Sequence, residues 1–222
     1  MATVNRITGR TTRACALACL AVASIGCSTA YYSAWEMLGK EKRDLLRSNV
    51  LAVQDEQREA ADEFESALER LRELTGVDAG ELEDVYDRIS ADYDNARSRS
   101  DEIQDRIDTI DEIADDLFSE WEDEIDEISS ADLRSKSRSK LEVTKRNYAR
   151  LESSLRTSEA SMEPVLTRLK DTTLYLKHNL NAAAIGGLSA EVDGIESDIE
   201  TLISDMRASI DEADRFLQTM PE

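Results

Sequence analysis

Cysteine is almost missing from this chain, and its placement is informative. Cys15, Cys19 and Cys27 all fall within the first 27 of 222 residues. No intramolecular disulfide therefore staples the body, and no cysteine-based metal site exists there. A single histidine, His178, excludes histidine clusters. It has no serine or cysteine nucleophile nearby, which makes it a poor basis for covalent catalysis. With 8 glycines and 2 prolines there are few helix breakers, and aromatics amount to 5%. That poverty argues against a compact α/β or β domain. Bases are scarce relative to acids, 27 against 48, for a net charge of −21. Such a balance excludes unspecific nucleic-acid binding, which needs lysine and arginine to displace counterions. It favours solubility and repels anionic surfaces.

What is present is periodicity. From Leu82 to Trp121, apolar or small residues recur at steps of three and four: Leu82, Val85, Ile89, Tyr93, Ala96, Ser100, Ile103, Ile107, Ile110, Ala114, Leu117 and Trp121. A period of 3.5 held over more than five heptads marks the seam of a coiled-coil helix. Three further stretches carry the same pattern, giving helices at 35–75, 80–128, 131–184 and 188–217. Gly76 ends the first. Asp78 and Glu81 form a capping-box-like start for the second. Ser129 to Asp132 offers a break and a new N-cap for the third. Pro164 marks either a kink in the third helix or its restart after Ser161. Gly186-Gly187 precedes the fourth. Short turns between long helices make antiparallel neighbours. The expected fold is all-α, an elongated antiparallel up-down-up-down helical bundle with coiled-coil packing over 35–217.

Two features set the expected register. In the first hairpin the only polar seam residues, Gln57 and Ser100, fall opposite one another. Buried polar groups without partners cost roughly 1–3 kcal/mol each, so this layer opposes slippage. In the second hairpin the charges match. Residues 80–128 hold 20 acids and 4 bases, and residues 131–180 hold 6 acids and 11 bases. Folding about Ser130 sets Glu127 near Arg134, Glu124 near Lys136, Asp115 and Asp116 near Lys145 and Arg146, and Asp105 near Arg156. The acidic run Asp111–Glu127 lacks a calcium-loop pattern and reads as a solvated face paired with the third helix. No metal site and no cofactor are expected.

The N-terminus carries Arg6, Arg10 and Arg13 without an acid, followed by the short apolar run 14–26. That is a secretory signal, too short for an ordinary membrane span. It ends in Ser24-Ile25-Gly26-Cys27, which resembles the bacterial lipobox. Residues 1–26 therefore read as a lipoprotein-type signal peptide, Cys27 as the lipidated residue, and 27–34 as anchor and tether. Two or three acyl chains give stable anchoring where one is marginal. Ser28 in place of aspartate resembles the outer-membrane sorting signal, so the protein is expected on that membrane, facing the periplasm.

Tyr175, Lys177, His178, Asn179 and Asn181 form the most distinctive stretch. An aromatic, a cation, an imidazole and two amides within two turns suit a partner patch. They equally suit a helix end, where cations favour the dipole and asparagines satisfy carbonyls.

At these residues the sequence resembles the bacterial lipoproteins grouped as domain of unknown function 2959. The resemblance spans Tyr31 to about Leu217. It rests on Tyr31-Tyr-Ser-Ala-Trp-Glu-Met-Leu-Gly-Lys-Glu-Lys-Arg-Asp-Leu-Leu46, Leu74-Thr-Gly76, Trp121-Glu122, Met162-Glu-Pro-Val165 and Leu176-Lys-His-Asn-Leu-Asn-Ala182. It implies a helical lipoprotein and supplies no chemistry. The functional expectation is a non-enzymatic, membrane-anchored scaffold, spacer or adaptor with an envelope protein partner. Homo-oligomers are compatible with such seams. The alternative is a binding module for a small ligand, lipid or metal inside the bundle.

Overall fold

The computed structural model describes residues 42–73, 82–179 and 189–220. The expected signal peptide, Cys27 and the tether at 27–34 lie outside the described residues, as does Asn181. Four helices follow one another: α1 (Lys42–Glu73), α2 (Leu82–Glu127), α3 (Ala131–His178) and α4 (Ser189–Thr219). Their main contacts run from α1 to α2, α2 to α3, α3 to α4, and from α4 back to α1. This is an all-α four-helix ring with sequential neighbours antiparallel. At about 1.5 Å per residue, the 46 residues of α2 span about 69 Å.

The ring follows from one apolar stripe per helix. Leu46, Val50, Val53, Ala60, Phe64 and Leu71 of α1 are buried, as are Ile103, Ile107 and Ile110 of α2. Leu151, Leu155, Val165 and Leu169 of α3 and Ile195, Ile199, Leu202 and Met206 of α4 close the core from the other side. Each fully buried aliphatic side chain contributes on the order of 1.5–3 kcal/mol.

The expected α2 seam drifts past Ala114. Leu117 is only half-buried, whereas Phe118 is buried and so is Ile125. The inward positions 107, 110, 114, 118, 121 and 125 include two successive steps of four, an inserted stutter that locally relaxes a left-handed supercoil. Phe118 turns inward because an aromatic cluster receives it. The Tyr148 ring stands edge-on to Phe118 at 5.5 Å and to Phe216 at 5.8 Å between centroids.

Helix ends follow local chemistry. Ser130 is extended (φ −74°, ψ 118°), and its Oγ accepts from the backbone N–H of Leu133 as an N-cap. Arg134 donates twice to the Ile128 carbonyl, at 2.9 and 2.7 Å, satisfying the end of α2. The third helix runs through Pro164 without a break, so the restart after Ser161 does not occur. Pro164 is exposed, which leaves the Ala160 carbonyl to water. Gly194, inside α4, is a different case. A Cβ there would stand 2.7 Å from Nη1 of Arg168, which pairs with Asp198 and Glu191. The missing side chain makes room for that guanidinium.

The hairpin registers agree with ion pairs along their length. Between α1 and α2, Lys42 meets Glu120 at 2.9 Å, Arg106 meets Glu56 at 2.7 Å, and Arg70 meets Asp92. Between α2 and α3, Arg138 pairs with Asp126 and Lys145 with Glu122. Arg156 pairs there with Asp108 and Asp111. The individual partners differ by about a turn from those read off the sequence. Lys136 pairs with Asp132 in its own helix at 2.7 Å, and Arg134 turns to the Ile128 carbonyl. Long side chains reach along the helix to the nearest carboxylate.

The polar layer is corrected more substantially. Gln57 is fully buried, but its Nε2 donates to Ser158 Oγ of α3 at 3.0 Å, across the core. Ser100 is only half-buried. A two-helix pairing treats each seam as facing its neighbour, whereas in a ring of four the innermost side chains look across the centre. The α3–α4 and α1–α4 pairs place fully buried Ser209 at the same level. Gln57 Oε1 and Ser209 Oγ have no hydrogen-bond partner.

An unmade buried hydrogen bond costs more than removing both partners. Ser158→Ala alone is expected to lower unfolding free energy by about 1–3 kcal/mol. The double variant Gln57→Leu/Ser158→Ala is expected to recover most of that loss. Urea denaturation of the three proteins checks this. Additive losses in the double variant would show that the bond is not the stabilising feature.

Candidate functional site

The last turns of α3 present an outward face made by six described residues. At about 100° per residue, Leu174 stands at its centre, Lys170 and Lys177 on one flank, and His178, Asp171 and Tyr175 on the other; Asp171 is exposed too. Leu174 is 48% and Tyr175 42% exposed. Lys170, Lys177 and His178 are exposed as well. Neither Lys177 nor His178 has a hydrogen-bond or ion-pair partner among the described residues. Leu176 and Thr172, between them in sequence, are buried and belong to the core stripe.

Asn179 has a different role from its neighbours. Its backbone N–H donates to the Leu176 carbonyl at 3.0 Å and its Nδ2 to the Tyr175 carbonyl at 2.9 Å. Two of the last carbonyls of α3 are thereby satisfied, as a C-cap does. The stretch read as one patch is thus divided: Tyr175, Lys177 and His178 face outward, and Asn179 closes the helix. Leu174 and Lys170 were not singled out in the sequence. The available signal was a leucine off the seam, between Thr172 and Leu176.

This face lies at the end of the bundle where α1 finishes at Glu73 and α2 starts at Leu82. The opposite end holds Lys42, level with Glu120. By the register of α2 on α3, the two ends are separated by about 36 residues of α3, or about 50 Å.

Other concavities carry less chemistry. An open groove of about 580 Å³ on α3 and α4 is lined by Ser153, Thr157, Ala160, Ser161 and Pro164, among others. Its polar groups are occupied: Ser161 Oγ donates to the Thr157 carbonyl and contacts Asp205, and Arg156 and Asp198 are ion-paired. Among the described residues, no group of three or more His, Cys, Asp or Glu side chains is placed to hold a metal ion. None of the described helices is long and apolar enough to cross a membrane.

The strongest electrostatic perturbation is structural. Burial, reinforced by the Tyr148 hydroxyl donating to Asp111, pushes the Tyr148 phenol far above its ordinary value near 10. Arg156 loses some solvation, but bonds to Asp108, Glu159 and Asp111 outweigh that and raise its pKa. Asp111 thus ties Tyr148 and Arg156 together, with both carboxylate oxygens used. A tyrosine held protonated in an aromatic cluster has no role in proton transfer at neutral pH.

Two predictions follow from these assignments. Asn179→Ala is expected to cost about 0.5–1.5 kcal/mol, and Lys177→Ala/His178→Ala to change stability by less than about 0.5 kcal/mol. Equal losses in thermal denaturation would make Lys177 and His178 structural too. For Tyr148, the folded pKa is raised above the unfolded one, so its contribution is fully present below pH 10 and declines above it. Wild type is expected to lose stability between pH 10 and 11 faster than Tyr148→Phe, and parallel declines would contradict the assignment.

No curated protein and no solved structure matches this chain. A family model described as a protein of unknown function, DUF2959, matches residues 31–220. That match takes in all four helices and the exposed end of α3, and the chain belongs to the DUF2959 family.

Proposed function

We propose that this chain is a non-enzymatic adaptor of the bacterial cell envelope. Acyl chains on Cys27 hold it to the outer membrane, and the bundle carries a contact surface into the periplasm. The basic N-terminal segment, the apolar run 14–26 and the small residues before Cys27 support the anchor. The observation that carries the adaptor reading is the placement of the exposed face of α3. Leu174, Tyr175, Lys177 and His178 sit about 50 Å along the bundle from Lys42, where α1 begins. An exposed aliphatic and aromatic pair, Leu174 and Tyr175, is a composition that protein interfaces use.

A second reading has one observation in its favour. The buried layer of Gln57, Ser158 and Ser209 holds two polar atoms without partners. A small polar ligand, or a water, inside the bundle would satisfy them. A ligand that raises the thermal midpoint of wild type but not of Gln57→Leu would favour this reading.

The adaptor reading is tested in intact cells by chemical crosslinking and mass spectrometry. Leu174→Ala/Lys177→Ala/His178→Ala is expected to lose crosslinks to a protein partner at unchanged thermal stability. Retained crosslinks would sink the proposed surface. Cys27→Ser is expected to abolish acyl labelling and leave an unprocessed precursor. Normal processing and membrane retention in that variant would remove the anchor.

A further inference from the structure

The boundary between α3 and α4 repeats every seven residues. Arg168 meets Asp198, Ser161 meets Asp205, and Asn147 meets Thr219, so each heptad along α3 answers one along α4. Arg150 and Glu212 fill the adjoining row. Helix α4 ends at Thr219, above Asn147, while α3 runs on to Ala131. One heptad before Asn147 and Arg150 stand Lys140 and Val143. A further heptad back stand Leu133 and Lys136. These four continue the row that α4 covers elsewhere, and they are open to solvent: Leu133 is 57% and Val143 44% exposed, and both lysines are exposed. Lys136 reaches only Asp132 in its own helix, and Lys140 has no partner among the described residues.

The covered part of the row shows what fits it. Helix α4 carries nine acids and two bases. It offers α3 an apolar stripe flanked by the carboxylates Glu191, Asp198 and Glu212, which meet Arg168 and Arg150. The uncovered stretch departs from the covered one in carrying aliphatic side chains, Leu133 and Val143, which an apolar stripe would bury, beside Lys140 and the Asp132-paired Lys136. On α3 itself residues 131–150 hold seven bases and two acids, so a helix seated there meets a basic face, whereas an anionic bilayer would also meet the acidic end of α2.

We propose that Leu133, Lys136, Lys140 and Val143 form a docking site for an acidic amphipathic helix of a partner protein. That helix runs antiparallel to α3 and continues the line of α4. The site lies at the opposite end of α3 from Leu174 and is independent of the adaptor reading.

The test uses the full chain and a fluorescein-labelled peptide with the sequence of residues 189–219, an acidic helix already spaced to match α3. Saturable anisotropy binding is expected. It should weaken at least tenfold in Lys136→Glu/Lys140→Glu and again in Leu133→Asp, with thermal midpoints unchanged. Should Leu133→Asp unfold the tip, the milder Val143→Ser is expected to weaken binding as well. Equal affinity in all variants would mean exchange with the native α4 and would overturn the proposal, as would no binding. Capture of phosphatidylglycerol vesicles through the same residues without peptide binding would overturn it in favour of a membrane surface. Self-association lost in the same variants, again without peptide binding, would overturn it in favour of a second copy.

Discussion

None of the four helices can bury its apolar stripe alone, and that shared need organises the molecule. Each stripe is narrow, so it is covered only when three other helices close around it. Phe64, Ile103, Leu155 and Phe216 come from four different helices, and each is at most 1% exposed. The burial of such residues supplies the stabilisation, and each helix packs on its neighbours in sequence, with α4 closing on α1. Polar atoms enter this interior sparingly. Gln57, Ser158 and Ser209 share one level, where an aliphatic layer would pack better and specify less.

Charge is partitioned among the helices, and this shapes the surface. Helix α3 carries eleven bases and six acids, and stands between two acidic helices, α2 and α4. Exposed ion pairs contribute only about 0.2–1 kcal/mol each. Spread along both boundaries of α3, they disfavour displaced registers more than they strengthen the correct one. Among the four described helices α3 alone has more bases than acids, which suits it to acidic partners. Where α4 covers it, Arg150 and Arg168 are paired; where α4 has ended, Lys140 is not.

Interior and surface therefore have different roles. The interior is filled and mostly satisfied, its one strongly perturbed group being a tyrosine locked to Asp111. The groove beside Pro164 has its polar groups engaged. Chemistry left over for recognition is found on the outer faces of α3 near its two ends, about 55 Å apart. A long antiparallel bundle separates such faces at a fixed spacing.

The seams of α1, α3 and α4 were legible because a helix of fixed pitch must repeat its buried positions every three or four residues. Val53, Leu155 and Ile199 could be placed in the core without knowing what they touch. The Ser130 cap was legible for a similar reason: it acts on its own backbone three residues on. The charge match between α2 and α3 gave their register to within about a turn. Other features depend on elements far apart in sequence. Gln57 finds Ser158 rather than Ser100 because the core is a ring of four, which no pairwise alignment of seams contains. Phe118 replaces Leu117 because Tyr148, itself packed on Phe216, arrives beside it. A Cβ at Gly194 would crowd the Arg168 guanidinium, and Leu133 is exposed because α4 ends two heptads short of it. Local periodicity and backbone capping are written in neighbouring residues. Which side chains share a layer, and which face stays uncovered, depends on where distant helices end and cross, and only the folded chain decides that.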